Sequence, residues 1–148
     1  MKRCAVLTSL AAAAAALALP AVANQALPPV QVFKSPSCRC CGAWAEHMKA
    51  AGSSVNVTEV DDTSVARRKY GLPDRLGSCH TAVVGGYVVE GHVPANDVKK
   101  LLAMKAVAVG LAVPGMPVGS PGMKMDSRKG PHQVLLVAKN GRERVFST

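Results

Sequence analysis

Val30-Gln31-Val32-Phe33-Lys34-Ser35-Pro36-Ser37-Cys38-Arg39-Cys40-Cys41-Gly42-Ala43-Trp44 is the stretch from which the fold can be read. Val30 to Phe33 is a short β-branched and aromatic run behind Pro28-Pro29, the pattern of a strand. It leads into three cysteines within four positions. Ala43 to Ala51 then carries Trp44, Met48 and Ala51 at helical spacing, with Gly52 placed to close the helix in a left-handed cap. The cysteine cluster is therefore expected at the C-terminal end of a strand, with Cys40 and Cys41 in the first turn of a helix. Free amides and the helix dipole favour thiolates over thiols there.

Working outward, Val55 to Val60 alternates as a second strand, and Asp61 or Asp62 can cap a helix from Thr63 to Tyr70 that stops at Gly71 before Pro73. A linking helix implies that the first two strands are parallel. Thr81-Ala82-Val83-Val84 and Tyr87-Val88-Val89-Glu90 flank Gly85-Gly86, a two-residue hairpin turn. If Val84 faces Tyr87, the same register sets Cys79 opposite His92. Pro94 opens a helix through about Met104, with Val98, Leu101 and Leu102 as its buried stripe. Gln133 to Ala138 and Arg142 to Phe146 form a second hairpin across an Asn140-Gly141 turn, which extends the sheet or covers its edge. Arg142 and Arg144 of that hairpin read as a solvated face, not a phosphate site, and His132 before it as structural. This order of elements resembles the thioredoxin fold: α/β, βαβα-ββα, here with a Met/Pro/Gly-rich loop and a C-terminal β-hairpin.

The chain has 148 residues, 49% hydrophobic and 3% aromatic, with 18 Lys and Arg against 9 Asp and Glu, a formal charge of +9. This suits one domain with an aliphatic core. The scattered cations and scarce rings argue against nucleic acid. Lys2 and Arg3 precede an apolar run from Cys4 to Pro20, followed by Ala21-Val22-Ala23, the order of a secretory signal peptide. The run is short, rich in alanine and closed by Pro20, which argues against a membrane anchor. Residues 1–23 are expected to be removed, leaving 24–148 as one domain exported to a periplasm with no stable membrane span.

Cleavage reduces five cysteines to four: Cys38, Cys40, Cys41 and Cys79. An even count in an exported chain suggests two disulfides, but crowded cysteines do not close the sizeable loops of a staple, and bridging neighbours Cys40 and Cys41 would strain the backbone. A metal or redox site is the alternative. Soft thiolates suit Cu(I), zinc or iron–sulfur clusters. A single tetrahedral zinc prefers cysteines two to four residues apart, whereas adjacent Cys40 and Cys41 can bridge several ions, and iron–sulfur clusters need assembly before export. Copper leads.

Four stretches carry a specific resemblance: Cys38-Arg39-Cys40-Cys41-Gly42-Ala43-Trp44, Ser78-Cys79-His80-Thr81-Ala82, Glu90-Gly91-His92-Val93-Pro94-Ala95 and Gly110-Leu111-Ala112-Val113-Pro114-Gly115-Met116-Pro117. In this order they resemble the CopG-type family of exported bacterial metal-binding proteins associated with copper resistance. The resemblance implies a thioredoxin-like domain that binds copper through its cysteines, as several ions in a thiolate cluster. Redox thioredoxins hold two cysteines with two residues between them and a cis-proline before the third strand. Both are read as absent here, and Cys79 stands where the cis-proline would be. Cys79 is then expected to face Cys38, Cys40 and Cys41, with His92 at the same edge.

Pro114-Gly115-Met116 and Pro121-Gly122-Met123 repeat a tripeptide, with Met125 behind, in a stretch too rich in Pro and Gly for a helix. Met116 and Met123 are candidate soft ligands on a lid or delivery arm; the other reading is adaptable packing. Strand alternation should turn His80 away from Cys79 unless the strand starts irregularly. His47, nearly two turns after Cys41, reads first as a packed or exposed helix residue. The metal set is thus Cys38, Cys40, Cys41, Cys79, His92, Met116 and Met123. Three functions follow from it: a copper-binding protein that stores, buffers or hands Cu(I) to other periplasmic copper-handling proteins; a copper redox enzyme or thiol–disulfide oxidoreductase; or a stapled domain pairing, for instance, Cys41 with Cys79.

Overall fold

The computed structural model describes residues 27–123 and 130–148; the expected leader and Met125 lie outside the described residues. Strand β1 (Leu27–Lys34) enters α1 (Arg39–Ala50), followed by β2 (Ser53–Glu59) and α2 (Thr63–Lys69). A 3-10 turn (Asp74–Leu76) precedes β3 (His80–Val84) and β4 (Tyr87–Glu90). Then come α3 (Ala95–Met104), β5 (Gly110–Ala112), β6 (Val134–Val137) and β7 (Glu143–Ser147). The strands form one sheet in the order β2-β1-β3-β4-β5-β6-β7. β1 and β2 are parallel through α1, and β4 and β5 are parallel through α3. The arrangement is consistent with the thioredoxin-like α/β fold. Among the described residues no helix is long and apolar enough to cross a membrane.

Alternation along the strands sorts two cores. Val30 and Val32 of β1, Ala82 and Val84 of β3 and Val89 of β4 meet Trp44 and Met48 of α1 and Val98 and Leu101 of α3 on one face. Val88, Ala112 and Val137 meet Leu72 and Leu76 on the other. Trp44 and Met48 are fully buried, each contributing about 1.5–3 kcal/mol of transfer free energy. The Gly85-Gly86 turn has both glycines at positive φ (55° and 84°), the backbone of the twisted two-residue hairpin, and sets Thr81 opposite Glu90 and Val84 opposite Tyr87, as expected. Asp62 caps α2 by accepting from the Ser64 amide at 2.8 Å.

Three expectations change. Helix α1 starts at Arg39, with Cys38 as its N-cap, because the chain turns at once after Pro36: Cys38 N–H donates to the Ser35 carbonyl at 3.0 Å. The C-terminal hairpin turns over four residues, Ala138 to Gly141, with Gly141 alone in the left-handed region (φ 79°). It extends the sheet by pairing with β5, a three-residue strand that the sequence pattern is too short to announce. β5 needs Gly110, since a Cβ there would stand 1.7 Å from the Val88 carbonyl oxygen.

Candidate metal centre

The strand-to-helix junction places Cys38, Cys40 and Cys41 on the first turn of α1, and the approach to β3 brings Cys79 to them. One ligand atom from each lies within 4.8 Å of the others. The sulfur of Cys40 is 3.5 Å from that of Cys38 and 3.9 Å from that of Cys79. Cys38 and Cys41 are joined by a disulfide, with Cα atoms 5.4 Å apart; Cys40 and Cys79 are free thiols. This corrects two readings. The example pairing of Cys41 with Cys79 is not the one formed. The two-residue spacing of redox thioredoxins is present, since Arg39 and Cys40 separate the bonded pair; the adjacent Cys40 obscures it, and one helical turn brings positions three apart to the same side. The described residues contain no cis peptide bond, so the cis-proline is indeed missing.

The hairpin register carries His92 to Cys79, with His92 Nε2 3.0 Å from the sulfur. His92 Nδ1 donates to the Pro121 carbonyl at 2.7 Å, so Nε2 presents its lone pair toward the thiols, the arrangement in which a backbone acceptor orients a metal-binding imidazole. His80 joins them: β3 begins at His80, the irregular start turns Cys79 to the same side, and His80 Nδ1 is 3.5 Å from the Cys79 sulfur. Cys79, His80 and His92 form a second group whose ligand atoms lie within 4.8 Å. His80 is fully buried, stacks 4.5 Å from Trp44 and leaves Nε2 without a hydrogen-bond partner among the described residues.

Burial holds these groups neutral. Desolvation, reinforced by Cys40, pushes the Cys79 thiol up to about 12, so binding a cation there displaces a proton. Desolvation, with His92 nearby, pulls His80 down to about 3, and desolvation lowers His92. Neutral imidazoles and thiols that surrender protons to a cation form a donor set for a soft metal.

The Met/Pro/Gly-rich loop is folded over the site. Gly115 N–H donates to the Gly77 carbonyl at 3.2 Å, the Ser78 hydroxyl donates to the Gly115 carbonyl, and Pro121 holds His92. A Cβ on Gly122 (φ 86°) would stand 2.8 Å from the Cys40 carbonyl oxygen and 2.9 Å from the Trp44 amide, so the loop backbone rests directly on the first turn of α1. Met116 is 53% exposed on this loop, and Met123 is half-buried beside Gly122. His47 Nε2 accepts from the Ala95 amide at 3.0 Å, serving the start of α3. His132 lies 3.5 Å from the Gly130 carbonyl, near the start of β6.

The sequence reading left His80 open and missed the buried Arg67–Glu90 pair below Cys79. Glu90 shares a strand face with the buried Val88, and an acid at an inward-facing position implies a partner, which was the available signal.

A family model described as "Protein of unknown function, DUF411" matches residues 76–123, the segment from the approach of β3 through the loop. No curated protein matches. Two solved structures of a copper resistance protein copG are similar. Its form 2 is 41% identical, covers 82% of this chain and 97% of that one, and has a TM-score of 0.78. Its form 1 is 42% identical, with 82% and 96% covered and a TM-score of 0.77. Identity at this level over nearly the whole of the relative, with the cysteine cluster at the same strand-to-helix junction that carries the sequence resemblance, makes this chain a member of the CopG family of copper resistance proteins.

Proposed function

We propose that this chain is an exported, periplasmic copper-binding protein of copper resistance, which, once the Cys38–Cys41 disulfide is reduced, holds Cu(I) on the thiolates of Cys38, Cys40, Cys41 and Cys79 with His92 beside them. The observation that carries this reading is the meeting, at Cys79, of a group of four sulfurs with a group of two neutral imidazoles. Thiolates that can bridge suit several ions per chain. Met116 and Met123, on a loop docked over the thiols, serve as thioether stations for Cu(I) entering or leaving. Metal content per chain, measured anaerobically with a copper-edge absorption spectrum, tests it. Several copper ions with sulfur neighbours are expected; copper-free protein with two disulfides overturns it.

The Cys38–Cys41 disulfide beside two free thiols favours a second reading, copper redox interconversion. Cys38 and Cys41 thiolates each give one electron to a Cu(II), forming the disulfide and two Cu(I). Cys40, Cys79 and the imidazoles remain to hold the product. Thiol counting under nitrogen tests it: two thiols lost for every two Cu(II) reduced is expected, and Cu(II) bound with all thiols retained excludes it.

A further inference from the structure

Below Cys79 lies a polar group that the copper chemistry does not itself use. Glu90, at the end of β4, is fully buried, and Arg67, on α2, is nearly so. Glu90 Oε1 accepts from Arg67 Nε at 3.0 Å and Nη2 at 2.9 Å, and from the Ser78 amide at 2.7 Å. Its Oε2 accepts from the Thr81 hydroxyl at 2.6 Å, and Arg67 Nη2 also donates to the Ser78 carbonyl at 3.2 Å. The residue before Cys79 is thus gripped at both its N–H and its C=O by one ion pair. Gly77 lies flat against the guanidinium: a Cβ there would stand 2.6 Å from Arg67 Cζ.

We propose that Arg67 and Glu90 are positioning residues for Cys79, setting the entry to β3 so that its thiol meets Cys40 and His92, the task a cis-proline performs in redox thioredoxins. Without a cis bond, the Gly77-Ser78-Cys79 backbone has no covalent constraint to aim the thiol. A buried ion pair, with two guanidinium nitrogens on one carboxylate oxygen, supplies one from two other elements of the fold. An unaided segment outside the β3 ladder would sample many backbone states, and a sulfur displaced by about 1 Å loses most of its effectiveness as a ligand or reactant. The assignment rests on the copper reading of Cys79 for its purpose, but its geometry can be tested without metal.

In the metal-free full chain with the Cys38–Cys41 bond intact, diamide takes two hydrogens from the thiols of Cys40 and Cys79 and closes a disulfide between them, which peptide mass mapping reads. Glu90→Ala should slow this closure about 10–100-fold. Glu90→Gln, whose amide oxygen still accepts from Ser78, should stay within about tenfold of the original, the worth of one weakened hydrogen bond. Cu(I) affinity, measured in competition with bicinchoninate, should fall about 10–100-fold in Glu90→Ala. The same substitution should add nothing to Cys79→Ser, because it acts through Cys79. Closure at the original rate in Glu90→Ala, or further loss of Cu(I) affinity on top of Cys79→Ser, overturns the assignment. If Glu90→Ala does not fold, Thr81→Val removes only the hydroxyl on Oε2: slower closure supports the assignment, and an unchanged rate overturns it. A chain that binds no copper yet shows the Glu90 effect on closure refutes the copper reading and leaves the positioning role standing.

Discussion

Replacing Gly122 by alanine should release the loop from the thiols without unfolding the domain. Gly122 has φ 86°, where an L-residue costs about 1–2 kcal/mol. Its new Cβ would meet the Cys40 carbonyl oxygen at 2.8 Å, the Trp44 amide at 2.9 Å and His92 Nδ1 at 3.2 Å. The first two are helix backbone and cannot give, so the loop must back away. In doing so it loses the 2.7 Å bond from His92 to Pro121, worth about 0.5–1.5 kcal/mol. Together these give about 1.5–3.5 kcal/mol, or about 10- to 400-fold in the open population of the loop. Hydrogen exchange at the amides of Ser120 and Met123, both bonded within the loop, reads this directly. Exchange in the β1–β3 ladder should stay unchanged. Gly115→Ala is the control: φ is 72° but nothing lies within 4 Å, so it incurs only the backbone cost. Equal acceleration in the two variants, or none in Gly122→Ala, would refute the claim that the loop rests on α1 at that point.

Other perturbations separate the remaining roles. Cys79→Ser should lower copper per chain as severely as Cys40→Ser, since the two sulfurs are 3.9 Å apart; full copper content in Cys79→Ser, by elemental analysis, contradicts it. Met116→Leu combined with Met123→Leu should slow copper transfer to an external chelator, followed by stopped flow, while bound copper stays the same; loss of bound copper would make the thioethers ligands. Trp44→Phe removes the 2.8 Å bond from Trp44 Nε1 to the buried Val93 carbonyl and should cost about 1–3 kcal/mol in urea denaturation, with an unmoved midpoint counting against that bond.

Much of the fold could be read locally. Gly85-Gly86 announced its hairpin because two adjacent residues free to take positive φ are what that turn requires, and the register that set Cys79 against His92 followed from it. Asp62 before Thr63-Ser64 announced the start of α2 in the same way. β5 escaped because three residues, Gly110 to Ala112, show no period, and their strand character comes from pairing with β4 and β6. His80 stayed open because strand alternation argues against it, and alternation fails at a strand's first residue, where the ladder does not yet hold the backbone. The Cys38 and Cys41 spacing was hidden by the cysteine between them.

The sequence by itself determined the order of the elements apart from β5, the first hairpin's register and the four cysteines that meet, because periodicity, turn chemistry and residue type are all written within a few positions of one another. Tertiary structure alone decided that Cys79 meets Cys40, that His80 and His92 join it, that Pro121 aims His92, and that Arg67 and Glu90 grip Ser78. The joining contacts span 39 residues from Cys40 to Cys79, 29 from His92 to Pro121 and 23 from Arg67 to Glu90. At such separations the loop-closure entropy is recovered only when the whole sheet and its helices pack, so no local pattern encodes these contacts.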